Sequence, residues 1–135
     1  MAGATAGYSG KSLAEKLGIK AGAQVWLLDA PDHYLELLGP LPMGATVVSH
    51  PGEADILHAF MTDRASLTAS AARLTDSSRQ GAALWISWPK KSSAQFVDLT
   101  EDGVREILLP TGWVDVKVCA IDVNWSGLKF LRRRI

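Results

Sequence analysis

The sequence predicts an α/β domain: a single three-layer, doubly wound sheet of about six strands, mostly parallel, closed by an antiparallel C-terminal hairpin. Two observations carry this expectation. Short, near-continuous apolar runs alternate with segments of helical periodicity, as they do when parallel strands are buried on both faces and joined by crossover helices. The last such runs instead follow each other around a turn-forming Asn124-Trp125-Ser126-Gly127, which reads as a hairpin. No repeat, charge block or low-complexity linker divides the 135 residues, so residues 9–135 are expected to form one unit behind a flexible tail at 1–8.

The first expected element is a two-turn helix over 12–18. Ser12 and Glu15 stand at capping-box spacing, Leu13 and Leu17 share a face, and Gly18 ends it. Gln24 to Asp29 (QVWLLD) reads as a buried strand that stops at Asp29-Ala30-Pro31, and Pro31 suits the first position of a helix running to Leu38. Gly39-Pro40 closes that helix. Ala45 to Ser49 and Asp55 to Met61 (DILHAFM) follow as strands. Only five residues separate them, so a parallel pairing requires an extended return rather than a helical crossover; antiparallel placement of the strand at 45–49 is the alternative.

Thr62-Asp63 leads into a helix from Arg64 to Ser77, with Leu67, Ala71 and Leu74 on its apolar side. Ala82 to Trp88 (AALWISW) is a further buried strand, stopped by Pro89. Thr100 can cap a helix whose first turn carries Glu101 and Asp102, favourable near the positive end of the helix dipole, and whose inner side is Val104, Ile107 and Leu108. Trp113 to Ile121 and Leu128 to Arg133 form the expected hairpin.

The composition bounds the function classes. Hydrophobic residues make up 47% and charged residues 21%, the balance of an ordinary soluble domain. Fourteen Lys and Arg offset fourteen Asp and Glu, which argues against a dedicated nucleic-acid or membrane binder. Within that neutral total, residues 1–63 are net acidic and 64–135 net basic. The single cysteine, Cys119, excludes an internal disulfide, and one Cys with three scattered His cannot close a structural zinc site. A reducing, cytoplasmic setting is expected; the N-terminus lacks the apolar stretch of a secretory signal, and no segment is long and apolar enough to span a membrane.

Candidate chemistry gathers at the C-terminal ends of the expected strands, where open α/β sheets bind ligands. Asp29, Asp32 and His33 follow the first strand and offer a base and its orienter. They serve equally well as partners of backbone N–H groups near the helix start. Ser87-Trp88-Pro89-Lys90-Lys91 ends the fourth strand, where a serine, an aromatic wall and lysines could hold an anionic ligand, or where Trp88 could cap the core beside a solvated loop. Thr62, Asp63 and Arg64 would share the rim, although capping alone accounts for Asp63. His58, inside an apolar strand, reads as a hydrogen-bonded core histidine. Cys119 has no sequence neighbour that would activate it and reads as packing. Trp125 is either an exposed contact at the hairpin turn or a lid over it. The basic end at Lys129 and Arg132 to Arg134 reads as a solvated tail. Ser9-Gly10-Lys11-Ser12 imitates the end of a phosphate-binding loop, but Thr5 stands where its first glycine belongs and no strand precedes it.

The order of elements resembles the Rossmann-like class I methyltransferases, which use S-adenosylmethionine and end in such a hairpin. The features that carry it are QVWLLDA at 24–30, DILHAFM at 55–61, GAALWISWPK at 81–90, and TGWVDVKV to GLKFLRR at 112–133. Across the whole chain, YSGKSLAEKLGIKAGAQVWLLDAP, LLGPLP, ALWISWPKK, DLTEDGVRE and VDVKVCAIDVNWSGLKF are similar to a small bacterial family, domain of unknown function 3052, which implies the fold and brings no activity. The chain departs from the methyltransferase pattern at both halves of the cofactor signature. A glycine-rich turn normally ends the first strand, because only glycine lets the backbone approach the ligand; here no glycine occurs from Ala23 to Leu38. The second strand normally ends in an acid for the ribose hydroxyls, whereas this one ends Val48-Ser49-His50, with Glu53 the nearest substitute.

The expected function is therefore a non-catalytic module that binds a small molecule or protein partner in a crevice formed by Asp29, Asp32, His33, Asp63, Ser87, Trp88 and Lys90, with no cofactor required. A divergent S-adenosylmethionine-dependent methyltransferase is the alternative. A further alternative is a protein-interaction subunit, monomer or homodimer, that pairs through the hairpin edge.

Overall fold

A computed structural model of the chain describes residues 12–132; the expected tail at 1–8, the Ser9-Gly10-Lys11 stretch and Arg133 and Arg134 lie outside the described residues. The elements are α1 (Leu13–Leu17), β1 (Gln24–Leu28), α2 (Tyr34–Leu38), β2 (Thr46–Val47), β3 (Ile56–Phe60), α3 (Arg64–Ser77), β4 (Ala83–Pro89), α4 (Glu101–Leu108), β5 (Trp113–Ala120) and β6 (Trp125–Arg132). They build one six-stranded sheet in the order β2-β1-β3-β4-β6-β5. The first four are parallel, and β6 runs antiparallel to both β4 and β5.

Helices cover both faces of this sheet. Leu67, Ala71 and Leu74 of α3 and Val104 and Leu108 of α4 pack on Leu57, Leu84, Ile86, Leu128 and Phe130. On the other face, Leu13 and Leu17 of α1 and Tyr34 and Leu38 of α2 pack on Val25, Ile56, Phe60 and Trp85. Every residue of β3 and β4 is buried, as the apolar runs require of strands sandwiched between helices. Polar caps fix the starts of α1, α3 and α4. Ser12 and Glu15 form the expected capping box on α1, Asp63 accepts from the Ser66 amide at α3, and Thr100 accepts from the Gly103 amide at α4.

Three elements differ from the sequence reading, each for a local reason. The helix expected from Pro31 begins at Tyr34, because Asp29 takes a left-handed conformation (φ 56°) and Pro31 then sits in a turn whose carbonyl accepts from the Tyr34 amide at 3.0 Å. β2 is only two residues long and pairs with the very start of β1, Gln24 opposite Thr46 and Val25 opposite Val47. It runs parallel to β1, so the antiparallel alternative does not apply. The return to β3 therefore retraces only a short stretch of sheet, which the 3₁₀ turn Pro51–Glu53 accomplishes in place of an extended link. The hairpin turns earlier than expected. Asp122 accepts at 2.8 Å from the amides of both Asn124 and Trp125, so the reversal lies at 121–124 and Trp125 starts β6.

Gly127 consequently lies within a strand, where its lack of a side chain is needed: a Cβ there would come within 2.9 Å of Ile121 Cδ1 and 3.3 Å of Ser87 Oγ. A register shift interrupts the pairing of β5 with β6 between Asp115 and Lys117, and Val114, Val116 and Val118 are all exposed. Lys117 stands at this irregularity on the outer strand of the sheet.

Candidate functional site

In a doubly wound sheet, adjacent strands whose following helices leave toward opposite faces open a crevice at their C-terminal ends. Here those strands are β1 and β3. After β1 the chain turns into α2 on one face, and after β3 it turns into α3 on the other. A crevice of about 560 Å3 lies at that point, a size typical of small-molecule sites. Its apolar walls are Phe60, Met61, Val97 and Trp125; its polar groups are Asp29, Thr62, Ser66 and Gln95.

Asp29 is the unusual member. It is the one non-glycine residue with positive φ among the described residues. The left-handed region costs an ordinary L-residue about 1–2 kcal/mol, and Asp and Asn tolerate it best because their short side chains find local partners. Asp29 makes no hydrogen bond or ion pair with any described residue, so it gains no such local compensation. Its exposed carboxylate stands at the crevice unengaged. Strain of this sort characteristically accumulates where a ligand is held.

Each neighbouring wall is fixed by its own contacts. Phe60 meets Trp125 edge-to-face at a centroid separation of 5.0 Å. The segment carrying Gln95 and Val97 is pinned at both ends: the Lys90 amide donates to the Asn124 carbonyl at 2.8 Å, and the Arg64 amide donates to Asp98 Oδ1 at 2.9 Å. Ser66 is held in the first turn of α3 by the Asp63 cap.

Behind Phe60 lies a sealed polar chain. His58 Nδ1 is 2.8 Å from Tyr34 Oη, and His58 Nε2 is 2.6 Å from Ser87 Oγ. Neutral imidazole satisfies both contacts in either tautomer, donating through one nitrogen and accepting through the other. The ring stacks on Phe60 at 4.4 Å and is fully buried, as is Ser87. Burial disfavours the charged imidazolium and lowers the His58 pKa to about 3; it likewise pushes the Tyr34 phenol above its usual range. A serine beside a histidine is the skeleton of a nucleophilic pair, but one closed off from solvent on both sides serves the core.

The seven candidate residues thus separate. Asp29 lines the crevice. Asp63 caps α3, and Lys90 anchors the following loop through its backbone. Asp32 is exposed in the turn before α2. His33 reaches across that turn to Asp122 at 3.2 Å, tethering the start of α2 to the hairpin. Ser87 and Trp88 are both buried and point to opposite faces, Ser87 toward His58 and Trp88 into the core beneath α3 and α4. Their positions correct the expectation of a shared rim: consecutive strand residues alternate faces, and β4 is covered on both. Cys119 is half-buried, and burial raises its thiol pKa, away from an activated thiolate. Among the described residues no group of His, Cys, Asp and Glu could hold a metal ion, and no helix is long and apolar enough to cross a membrane.

The residues that sequence reasoning missed are Phe60, Met61, Ser66, Gln95, Val97 and Trp125. The end of β3 and the start of α3 were legible, and extending the switch-point argument to them would have found Phe60, Met61 and Ser66. No signal in the sequence places the 90–100 loop over the crevice.

No family model matches the chain, and no curated protein matches it. Solved structures do. A SAM-dependent methyltransferase from Aquifex aeolicus superposes with a TM-score of 0.62 at 13% identity, covering 87% of this chain and 86% of that one. A chain described as a possible exported protein from Bordetella parapertussis gives 0.60 at 11% identity, covering 90% of this chain and 65% of that one, so this chain spans just under two thirds of its length. Magnesium protoporphyrin IX methyltransferase from Synechocystis PCC 6803, solved with bound SAM, gives 0.53 at 12% identity, covering 89% and 74%. At such identities the likeness is one of fold alone: the chain has a Rossmann-like α/β sheet with a C-terminal antiparallel hairpin, similar to that of these methyltransferases.

Proposed function

We propose that this chain is a small-molecule-binding module that uses a methyltransferase-like fold without methyl transfer, holding its ligand in the crevice between the ends of β1 and β3. The observation that carries this reading is Asp29. A carboxylate is kept in a left-handed conformation at the crevice, at the strand end where glycine would relieve the backbone, and it has no partner among the described residues. Around it stand two aromatic rings, a thioether, two hydroxyls and an amide. That set suits a ligand with a flat or apolar body and a cationic or hydroxyl-bearing group directed at Asp29. It binds and orients; acid–base chemistry would call for a second titratable group beside the carboxylate, and the His58–Ser87 pair is sealed away. The cytoplasm is the proposed location, in keeping with a lone, half-buried cysteine.

A second reading is favoured by the same residue. Because Asp29 adopts a backbone conformation ordinarily left to glycine, the turn after β1 keeps a glycine-like path without the glycine. A divergent S-adenosylmethionine-dependent methyltransferase could use that path, with Asp29 as the acceptor for cofactor hydroxyls. Calorimetric titration with S-adenosylmethionine separates the two. The non-catalytic reading expects no saturable heat at micromolar concentrations; micromolar binding that S-adenosylhomocysteine displaces and that Asp29→Ala abolishes would overturn it in favour of the second.

A further inference from the structure

A second cleft, of about 400 Å3, lies at the opposite end of the sheet, among the N-terminal ends of β1, β3 and β4 and the C-terminal part of β6. Its apolar lining includes Leu17, Ile56 and Leu131, and its charged groups are Lys20, Lys129 and Asp55. Asp55 is engaged already: Oδ2 accepts from the Gln24 amide at 2.8 Å and Oδ1 pairs with Arg79. The lysines are not. Neither Lys20 nor Lys129, nor Lys117 directly across from Lys129 in the sheet, forms an ion pair with any described residue. Lys129 is also partly buried, and its proton affinity is lowered first by burial and then by Lys117 and Lys20.

Two lysines thus face the cleft, with Lys117 opposite Lys129 in the sheet, while the cleft's carboxylate, Asp55, is already engaged by Arg79; the excess positive charge destabilises the empty protein, and a bound anion would relieve it. Three glycines form part of the rim. Gly18, Gly22 and Gly81 all have positive φ, and a Cβ at Gly18 would stand 3.6 Å from Lys129 Nζ, in the approach to the ammonium group. We propose that this cleft is an anion site for a small phosphate-bearing molecule, whose phosphate is held by Lys129 and Lys20 and whose organic part lies on Leu17, Ile56 and Leu131. The site is separate from the crevice at Asp29 and does not depend on what that crevice binds.

The test is thermal unfolding of the full chain in increasing inorganic phosphate and, separately, pyrophosphate, with ionic strength held constant by KCl. The wild type is expected to show a saturable rise in Tm beyond KCl alone. Lys20→Met and Lys129→Met are each expected to weaken the response to pyrophosphate by about tenfold or more, the loss of one charge-assisted contact. Without anion, Lys129→Met should melt at or above the wild type, since it removes an uncompensated charge. Asp29→Ala should keep the full response. A wild type that responds no more to phosphate than to KCl, or variants at both lysines that respond as the wild type does, would overturn the proposal. If Lys129→Met fails to fold, Lys20→Met and Lys129→Gln decide the question, because Lys20 is exposed on the α1–β1 loop and its removal leaves the core intact.

Discussion

Acid should weaken this protein well before its carboxylates titrate, and His58 is the reason. Its imidazole is fully buried between Tyr34 and Ser87 and stacked on Phe60, which lowers its pKa from 6.5 to about 3. The unfolded chain binds a proton at this residue near pH 6.5 while the folded chain does not. The stabilisation is therefore complete above pH 6.5 and is lost as pH falls toward the folded value. One pKa unit corresponds to about 1.4 kcal/mol, so the loss from this residue is about 1 kcal/mol at pH 5.5 and about 3 kcal/mol at pH 4.5. These figures hold wherever the folded pKa lies below the window. Urea unfolding at pH 7.5, 5.5 and 4.5 measures the loss; with a slope of about 2 kcal/mol/M, the midpoint should fall by about 1–2 M across the range. The matched control is His58→Gln, which keeps a donor and an acceptor in the chain but cannot titrate. It should be less stable at pH 7.5 by about 1–3 kcal/mol and should lose much less between pH 7.5 and 4.5. If wild type and variant fall in parallel, the buried imidazole is not the source of the acid sensitivity.

Further outcomes follow from other contacts. Asp29→Gly should leave stability unchanged or raise it by up to about 1 kcal/mol, since it relieves a left-handed aspartate at some cost in backbone entropy, while Asp29→Val should lower it by about 1–2 kcal/mol; chemical denaturation reads both. Asp122→Ala removes the acceptor for two amides of the hairpin turn and the partner of His33, and should cost about 1–3 kcal/mol, read as a lower thermal midpoint and faster hydrogen exchange at Asn124 and Trp125. Gly127→Ala drives a methyl against Ile121 and toward Ser87 and should cost about 1–3 kcal/mol, whereas an unaltered melting curve would show that Ile121 yields freely.

Most of the fold was legible because it rests on local chemistry. The apolar runs at 24–28, 56–60 and 83–89 had to be strands, the last two covered on both faces, and Ser12, Asp63 and Thr100 had to start helices, since each offers an oxygen to amides that a helix leaves unpaired. The hairpin's existence was equally plain. Its turn was misplaced because Asn124 to Gly127 looks turn-like by composition, while the decisive group, the Asp122 carboxylate, acts through hydrogen bonds that composition does not display.

The site was legible only in part. Asp29 could be placed beside a crevice from the rule that ligands meet open sheets at strand ends, because the end of β1 is fixed by the chain's own apolar run. Ser87, Trp88 and His33 could not be placed, since their roles depend on what the sheet brings opposite them: His58 from β3, the core beneath α3, and Asp122 from the hairpin turn. The amino-acid sequence by itself determined the architecture, the strand that carries Asp29, and the burial of His58, because those follow from periodicity and hydrophobicity along the chain. Only the tertiary structure decided which polar groups face solvent and which face each other. Such pairings join residues tens of positions apart, and a shift of one residue along a strand turns a ligand contact into a core contact.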